Sequence, residues 1–369
     1  MKLRFLLVLL LGFVFSFQVN AAPNPKPGGT CKKLGQSQTI QGKKFTCIKT
    51  GKKLVWNKGV ETSKPTPVSN SNSSAESLDP TSGAAKSVDA QFKAARKTEL
   101  RIEFLKSNDA NALFAEYGEE AIAKSAQFWG NFYNPTKTIP VVIASPKTVD
   151  WLNTQLGKYS YTLPQWRFDQ IKGMGDDGMQ LDVDVNPSTD SVIYFVVGSN
   201  THWLTPNMVK TMITHEFVHT VQVGILKTRN GLIPCWSNEG SAIFYGNAIT
   251  AAGSGDAEVQ YLKYRNEWLN QLNFKNAVMG KSKEDLLALL KSSETDFRVC
   301  AAPLRLGYSA GSLMTELLVA KHGHEKFVKW WILSTEKDWK VAFKEVFGQD
   351  VDTFYSDVTI PYLLESAQK

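Results

Sequence analysis

The chain has 369 residues, of which 43% are hydrophobic, and its 42 basic and 35 acidic side chains give a net charge of +7. Eleven of the basic residues and none of the acidic residues lie in residues 1–60, which leaves 31 basic against 35 acidic residues in the remainder. A positive charge spread over the whole protein is thereby excluded. The remaining length is ample for one domain of about 280 residues with a sizeable core.

The N-terminus has the features of a cleavable signal peptide over residues 1–21. Lys2 and Arg4 precede an apolar run from Phe5 to Phe17, and small residues follow it at Val19-Asn20-Ala21. An uncleaved membrane anchor is the alternative, but the apolar run is short for a membrane span. No lipobox cysteine follows the apolar run, because the first cysteine, Cys31, lies well beyond the predicted cleavage site. No other segment approaches the length of a membrane span. We therefore expect an exported protein, secreted or associated with the cell wall.

Residues 22–60 form a separate unit of unusual charge. Between residues 26 and 60 there is no Asp, Glu or Arg, but there are nine lysines: Lys26, Lys32, Lys33, Lys43, Lys44, Lys49, Lys52, Lys53 and Lys58. Together with Cys31, Cys47 and the β-favouring run Leu54-Val55-Trp56, this composition predicts a small β module stapled by a disulfide. Such a module would hold the protein on an anionic surface such as wall polymer. A solvated charged spacer is the equal alternative, and nucleic-acid binding is not expected in an exported protein.

Residues 61–88 are rich in Ser, Thr, Asn, Pro and Ala, which predicts a flexible linker. Hydrophobic periodicity resumes at Asp89 and predicts a helical region to about Phe128, followed by a strand over Ile139–Ala144. A second strand is predicted from Ser191 to Gly198, and its continuous apolar run favours a strand buried inside a sheet.

The sequence His215-Glu216-Phe217-Val218-His219 lies within the next predicted element, a helix. Thr205 and Pro206 are suited to its N-cap and first position, and apolar residues recur at helical spacing. Histidines four residues apart leave one helix face, so both imidazoles can share a metal ion with Glu216 beside them. The alternatives are two ordinary core histidines, or a site that has outlived its activity.

A hydrolytic zinc site takes three protein ligands and leaves one position for water, so a third ligand is needed. Glu239 is the candidate, on a second predicted helix that opens at Trp236 after Pro234. The polar stretch Lys227–Gly231 would let the two helices pack antiparallel with the carboxylate facing the imidazoles. The alternative interpretation of Glu239 is a glutamate favoured near a helix N-terminus by the helix dipole.

The four cysteines allow three disulfide pairings. The pairing that respects the predicted domain boundaries joins Cys31 to Cys47 and Cys235 to Cys300. The second bridge would tie the start of the Glu239 helix to the segment that leads to Tyr308. No Cys-x-x-Cys spacing occurs, so these thiols are not expected to bind zinc.

The combination of His215–His219 with Trp236-Ser237-Asn238-Glu239-Gly240-Ser241-Ala242 resembles the gluzincins, the HExxH...E zinc metallopeptidases that include thermolysin and a large aminopeptidase family. Weaker similarity continues downstream and extends the resemblance over residues 89–365, through Tyr308–Ser312, Leu317-Leu318, His322–Lys326 and Val346-Phe347-Gly348. It implies an α+β catalytic domain over residues 89–369, with a small β-sheet over the active-site helix and a mainly helical C-terminal half. The N-terminal module resembles the short Lys-rich, two-Cys modules of actinobacterial secreted proteins.

The resemblance implies that His215, His219 and Glu239 hold one catalytic zinc ion and that Glu216 is the general base. It also calls for a donor to the oxyanion of the tetrahedral intermediate, for which Tyr308 is the candidate and Tyr245 and His202 are weaker ones. His322 and His324 lie far from the motif and near a predicted helix end, where a solvated C-terminal cap is the better interpretation.

The function that follows is a secreted zinc metallopeptidase whose substrate is a peptide, a protein or a cell-wall peptide. The chain lacks the Gly-x-Met-Glu-Asn stretch with which the aminopeptidase branch binds a free amine, and Gly173–Asp177 does not replace it. This favours an endopeptidase over an aminopeptidase. In the family a strand near Ser191–Gly198 pairs with extended substrate. The alternative function is an inactive peptidase-like scaffold that acts as an extracellular or cell-wall binding protein.

Overall fold

The structure is a computed structural model. It describes residues 26–34, 36–40, 43–61, 79–95, 101–133, 135, 137–186, 189–228, 231–301 and 304–369. The chain divides into two compact units, Met1–Glu76 and Ser77–Lys369. The predicted signal peptide and most of the predicted linker lie outside the described residues. No described helix is both long enough and apolar enough to cross a lipid bilayer.

The N-terminal unit is a small antiparallel sheet of β1 (Ser37–Ile40), β2 (Lys43–Thr50), β3 (Lys53–Trp56) and β4 (Val60–Glu61). Strand β2 is central and pairs with the other three. Alternate residues of a strand point to opposite faces, and one face of this sheet buries Phe45, Cys47 and Trp56. The predicted Cys31–Cys47 disulfide is present, and it completes a core that would otherwise be too small to fold alone.

The second unit contains a sheet in the order β5 (Ile102–Lys106), β6 (Ile139–Ala144), β8 (Asp190–Val197), β7 (Met179–Asn186). Strands β5, β6 and β8 are parallel, and β7 runs antiparallel to β8 at the edge. Strand β8 lies between two partners and is buried on both faces, as its continuous apolar run predicts. Ile193–Val196 pair with both neighbouring strands, so this part of β8 offers no free edge to an extended substrate.

Helices surround this sheet and make up the rest of the unit. Their bounds are α1 Pro80–Ala94, α2 Ala112–Trp129, α3 Val149–Gly157, α4 Gln165–Lys172, α5 Pro206–Leu226, α6 Cys235–Ala251, α7 Ala257–Gln271, α8 Phe274–Val278, α9 Lys283–Ser292, α10 Phe297–Cys300, α11 Leu306–His322, α12 His324–Leu333, α13 Trp339–Phe347, α14 Val351–Thr353, a π-helical turn Phe354–Thr359, and α15 Ile360–Gln368. One sheet face packs on α3 and α4, and the other packs on α2 and α5. The fold is therefore mixed α+β, with the sheet against α5 and a helical C-terminal half.

Two predicted boundaries are wrong. Helix α1 begins at Pro80 with Asp79 as its N-cap, so the predicted linker is too long at its C-terminal end. Ala84 and Val88 of α1 are fully buried in the core, and their burial outweighs a composition typical of linkers. The predicted helical region to Phe128 is interrupted by β5, a five-residue strand that pairs with β6.

A buried polar cluster joins the C-terminal helices. Glu316 of α11 is inaccessible to solvent and accepts hydrogen bonds from Arg265 Nε at 2.8 Å and Nη2 at 3.2 Å. The hydroxyls of Tyr261 and Tyr362 donate to the same carboxylate. The cluster ties α7, α11 and α15 together, and α11 also carries Tyr308.

Replacing Arg265 with methionine is expected to destabilise the protein by about 3–5 kcal/mol, because Glu316 would keep a buried charge without its cation. The free energy of unfolding in urea measures this. The matched control is Arg298→Met: Arg298 pairs with Asp296, and its side chain is 83% exposed, so its loss should cost under about 1 kcal/mol. Equal effects of the two changes would contradict a stabilising role for the cluster.

Candidate metal centre

Helix α5 positions the histidine pair. Thr205 caps it by accepting a hydrogen bond from the backbone N–H of Met208 (3.3 Å), and Pro206 occupies the first turn, both as predicted. The helix is buried along nearly its whole length, and His215 and His219 leave the same face one turn apart. Their Nε2 atoms lie 3.1 Å from each other.

Helix α6 brings Glu239 to the same point. It packs closely on α5 because Gly246 has no side chain: a Cβ there would lie 2.9 Å from the carbonyl oxygen of Thr211. Glu239 Oε2 is 3.4 Å from His219 Nε2 and 3.8 Å from His215 Nε2. The other carboxylate oxygen, Oε1, accepts a hydrogen bond from Asn238 Nδ2 at 3.3 Å. Glu239 therefore faces the imidazoles, as expected for a third ligand.

The three ligand atoms fit a zinc ion. Tetrahedral zinc with bonds of about 2.0–2.1 Å separates its ligand atoms by about 3.3 Å. The observed separations of 3.1, 3.4 and 3.8 Å bracket that value. Two imidazoles and a carboxylate are also the donor set of hydrolytic zinc sites. Among the described residues, this is the one group of three such side chains within metal-binding distance.

Burial and mutual proximity set the protonation of these groups. Burial and the neighbouring His219 lower the pKa of His215 to about 3. Burial acts to raise the pKa of Glu239, but the imidazoles of His219 and His215 and a hydrogen bond from Tyr308 lower it to about 2. At neutral pH the site therefore presents a neutral His215 and an ionised Glu239, the forms that bind a cation.

Glu216 lies beside the ligands without being one of the three. It is 7% exposed, and its Oε1 atom is 3.9 Å from His215 Nε2. A carboxylate at this distance is close enough to exchange a proton with a small molecule held among the ligands.

Gln222 fixes the orientation of His219, and sequence analysis missed it. Its Nε2 group donates to the carbonyl oxygen of Asn238 at 2.9 Å and to Ser241 Oγ at 3.0 Å. Its Oε1 atom must then be the group that faces His219 Nδ1, at 2.7 Å, so Nδ1 carries the proton. The lone pair of His219 is thereby directed through Nε2 towards His215 and Glu239. The sequence does contain one signal for this role: Gln222 follows His219 by three residues and therefore lies next to it on the same helix face.

Replacing Gln222 with alanine is expected to lower zinc affinity by about ten- to a hundredfold, because His219 loses the partner that holds its ring and tautomer. Competition with a chromophoric chelator measures this affinity. Ser241→Ala is the graded control, since it removes one of the two acceptors of Gln222 and should have a smaller effect. Unchanged zinc affinity in a folded Gln222→Ala protein would contradict the role given to Gln222.

Helix α11 brings Tyr308 next to the ligands. It crosses α6 at two glycines with backbones in contact: a Cβ on Gly240 would lie 2.2 Å from the carbonyl carbon of Gly311. One turn before Gly311, the Tyr308 ring lies parallel to that of His215, with centroids 6.1 Å apart, and its hydroxyl hydrogen-bonds Glu239. The predicted Cys235–Cys300 disulfide is present and joins the start of α6 to the segment before α11.

The weaker oxyanion candidates lie elsewhere. Tyr245 is fully buried, and its hydroxyl is bonded to His324 Nδ1 at 2.8 Å, so it is not available to a substrate. His202 is exposed, and its Nδ1 atom lies 3.2 Å from Asn200 Oδ1. The structure brings Tyr308 to the ligands and leaves Tyr245 in the core.

The predicted solvated cap is wrong for His324 and only half right for His322. His324 begins α12 and is buried among the rings of Phe128, Trp129 and Phe132, with centroids 4.7–5.0 Å away. His322 does end α11, but it is half-buried against Phe347. Spacing along the chain does not reveal that α2 and α6 close over the start of α12.

The burial of His324 predicts a pH-dependent stability. Burial lowers its pKa from 6.5 to about 3, so between these values the unfolded chain binds a proton that the folded protein does not. The contribution of His324 to the free energy of unfolding is therefore fully present above about pH 6.5 and falls as the pH drops. At about pH 5 this contribution is lower by about 2 kcal/mol. The free energy of unfolding at pH 7 and pH 5 measures this. A non-titrating His324→Gln variant should lose less stability over that interval, and an equal loss would contradict the assignment.

Comparison of the chain with protein-family models, curated proteins and solved structures finds no match.

Proposed function

We propose that residues 77–369 form a zinc-dependent peptidase, with His215, His219 and Glu239 as the metal ligands and Glu216 as the general base. The observation that carries this proposal is the convergence of two imidazoles and a carboxylate from α5 and α6 at separations that suit tetrahedral zinc. The resemblance of the two motifs to those of gluzincins supports the same assignment. A pair of structural core histidines would have no need of a carboxylate, only 13% exposed, that faces both.

The chemistry follows from the positions of the side chains. Zinc bound there would polarise the scissile carbonyl and lower the pKa of a water molecule to about 7. Glu216 Oε1 would accept the proton of that water and deliver it to the leaving amine. Gln222 would keep His219 oriented throughout. The Tyr308 hydroxyl, beside Glu239, would be the candidate donor to the oxyanion that develops on the substrate.

An endopeptidase is the better-supported subclass. The stretch Gly173–Asp177 contains the acidic residues that could have received a substrate amine. The carboxylate of Asp176 is engaged by Lys147 at 2.8 Å, and its carbonyl oxygen accepts a hydrogen bond from Asn200 N–H. These contacts support a structural role for Asp176 in this loop.

Cleavage of an unbiased peptide library by the protein without residues 1–21 tests the proposal. We expect internal cleavage that stops on addition of a chelator and returns with zinc. Release of single N-terminal residues would move the assignment to an aminopeptidase. Absence of any cleavage by zinc-loaded protein would overturn the peptidase proposal and favour an inactive scaffold.

A further inference from the structure

The N-terminal unit is a folded, stapled sheet, which removes the reason to regard it as a mere spacer. Phe45, Cys47 and Trp56 are buried, and the Cys31–Cys47 bridge closes the core. A solvated spacer needs neither a core nor a disulfide. The structured surface of this unit therefore requires an explanation of its own.

The charged side chains of this unit are almost all positive. Glu61, opposite Lys43 in the β2–β4 pairing, is the only carboxylate of residues 26–61. The lysines whose exposure is described are all exposed: Lys26, Lys32, Lys33, Lys43, Lys49, Lys52, Lys53 and Lys58. Such a concentration of one charge in a small unit attracts polyanions.

One face of the sheet is open. The register places Ile48 opposite Val55 and Thr50 opposite Lys53, on the face away from the buried core. Thr46, paired with Ser37, lies on the same face. Ile48, Thr50, Lys53 and Ser37 are exposed. The open face thus combines hydroxyl donors and an ammonium group around a central aliphatic pair.

The residue types narrow the class of anion. All nine cations are lysines, which act as hydrated point charges on phosphate, whereas planar bidentate recognition uses arginine. The two aromatic side chains of residues 26–61, Phe45 and Trp56, are both buried, so none is available to stack on nucleobases. A membrane-surface element would also display a broad apolar or aromatic face, which this sheet lacks among its described residues. The disulfides indicate an oxidising, extracytoplasmic compartment.

We propose that the N-terminal unit binds a polyol-phosphate polymer, a chain of repeating phosphodiesters, along the open face of its sheet. Lys53 on this face and Lys52 in the adjoining turn contact the phosphates, the hydroxyls of Ser37, Thr46 and Thr50 donate to phosphate oxygens, and Ile48 and Val55 contact the carbon chain. The unit thereby concentrates the attached catalytic unit on a polymer-coated surface.

The test is binding of the chain without residues 1–21 to immobilised poly(glycerol phosphate) over a range of NaCl concentrations. The variant is Lys52→Gln/Lys53→Gln, and the matched control is Lys263→Gln/Lys275→Gln, two exposed lysines of the second unit. We expect the first double variant to bind at least about tenfold more weakly and with a salt slope lower by about two, and the control to match the wild type. Thermal unfolding of each variant checks the fold.

Failure of the wild type to bind at low salt would overturn the proposal, and so would equal losses in the two double variants. Tighter binding to duplex DNA or to phosphatidylglycerol vesicles, at equal phosphate concentration, would also overturn it and assign the surface to that partner. None of these outcomes depends on zinc or on hydrolysis.

Discussion

Replacing Glu216 with glutamine is expected to lower kcat/KM for peptide hydrolysis by about 10²–10⁴-fold, while zinc content stays the same. The amide has nearly the size of the carboxylate and is not one of the three ligand groups, so the site should keep its shape. The glutamine amide cannot take a proton from water at neutral pH, so the proton-transfer step loses its base. Single-turnover cleavage of a library-selected peptide, with zinc measured per chain, gives both quantities.

Glu284→Gln is the matched control, because Glu284 is an exposed glutamate near the start of a different helix, α9. It should retain full activity. If Glu216→Gln cleaves as fast as the wild type, Glu216 is not the base and the mechanism given above is wrong.

Replacing Glu239 with glutamine is expected to lower zinc affinity by more than about a hundredfold. This loss exceeds the one expected for Gln222→Ala, because Gln222 only orients a ligand. The change removes the one negative charge among the three ligands and leaves a neutral amide oxygen, a weaker ligand, in its place. Hydrolysis should fall in proportion to the zinc lost. Chelator competition measures the affinity, and excess zinc should restore part of the activity.

The same Glu284→Gln protein serves as the control for zinc affinity. A Glu239→Gln protein that holds zinc as tightly as the wild type would show that Glu239 is not a ligand. Glu239 would then be a glutamate placed near a helix N-terminus for its dipole alone.

Local patterns predicted the helix that carries His215 and His219, two of the proposed ligands. Thr205 and Pro206 marked the start of α5, and the spacing of His215 and His219 placed both imidazoles on one face. The expectation of export and the predicted domain boundaries were enough to select the two disulfide pairings that the structure contains. The start of α5 and the spacing of its histidines depend on short stretches of chain, where capping and helical periodicity act directly.

Features set by contacts between distant segments could not be predicted in this way. Strand β5 is a strand because it pairs with β6, more than thirty residues later. In the sequence, Gly311 has the pattern of an ordinary small residue. In the structure, α11 crosses α6 closely at Gly311 and Gly240, and this crossing brings Tyr308 to the proposed ligands. The sequence predicted His324 as a solvated cap, but in the structure side chains of α2 and α6 cover it. In each case tertiary packing overrides the local preference.

The most direct test of the proposed metal centre is an anomalous difference map at the zinc absorption edge, from crystals of zinc-loaded Glu216→Gln protein. We predict one strong peak within about 2.0–2.2 Å of His215 Nε2, His219 Nε2 and a carboxylate oxygen of Glu239. No peak at that point, or a peak bound by other side chains, would contradict the assignment of these three residues as the zinc ligands.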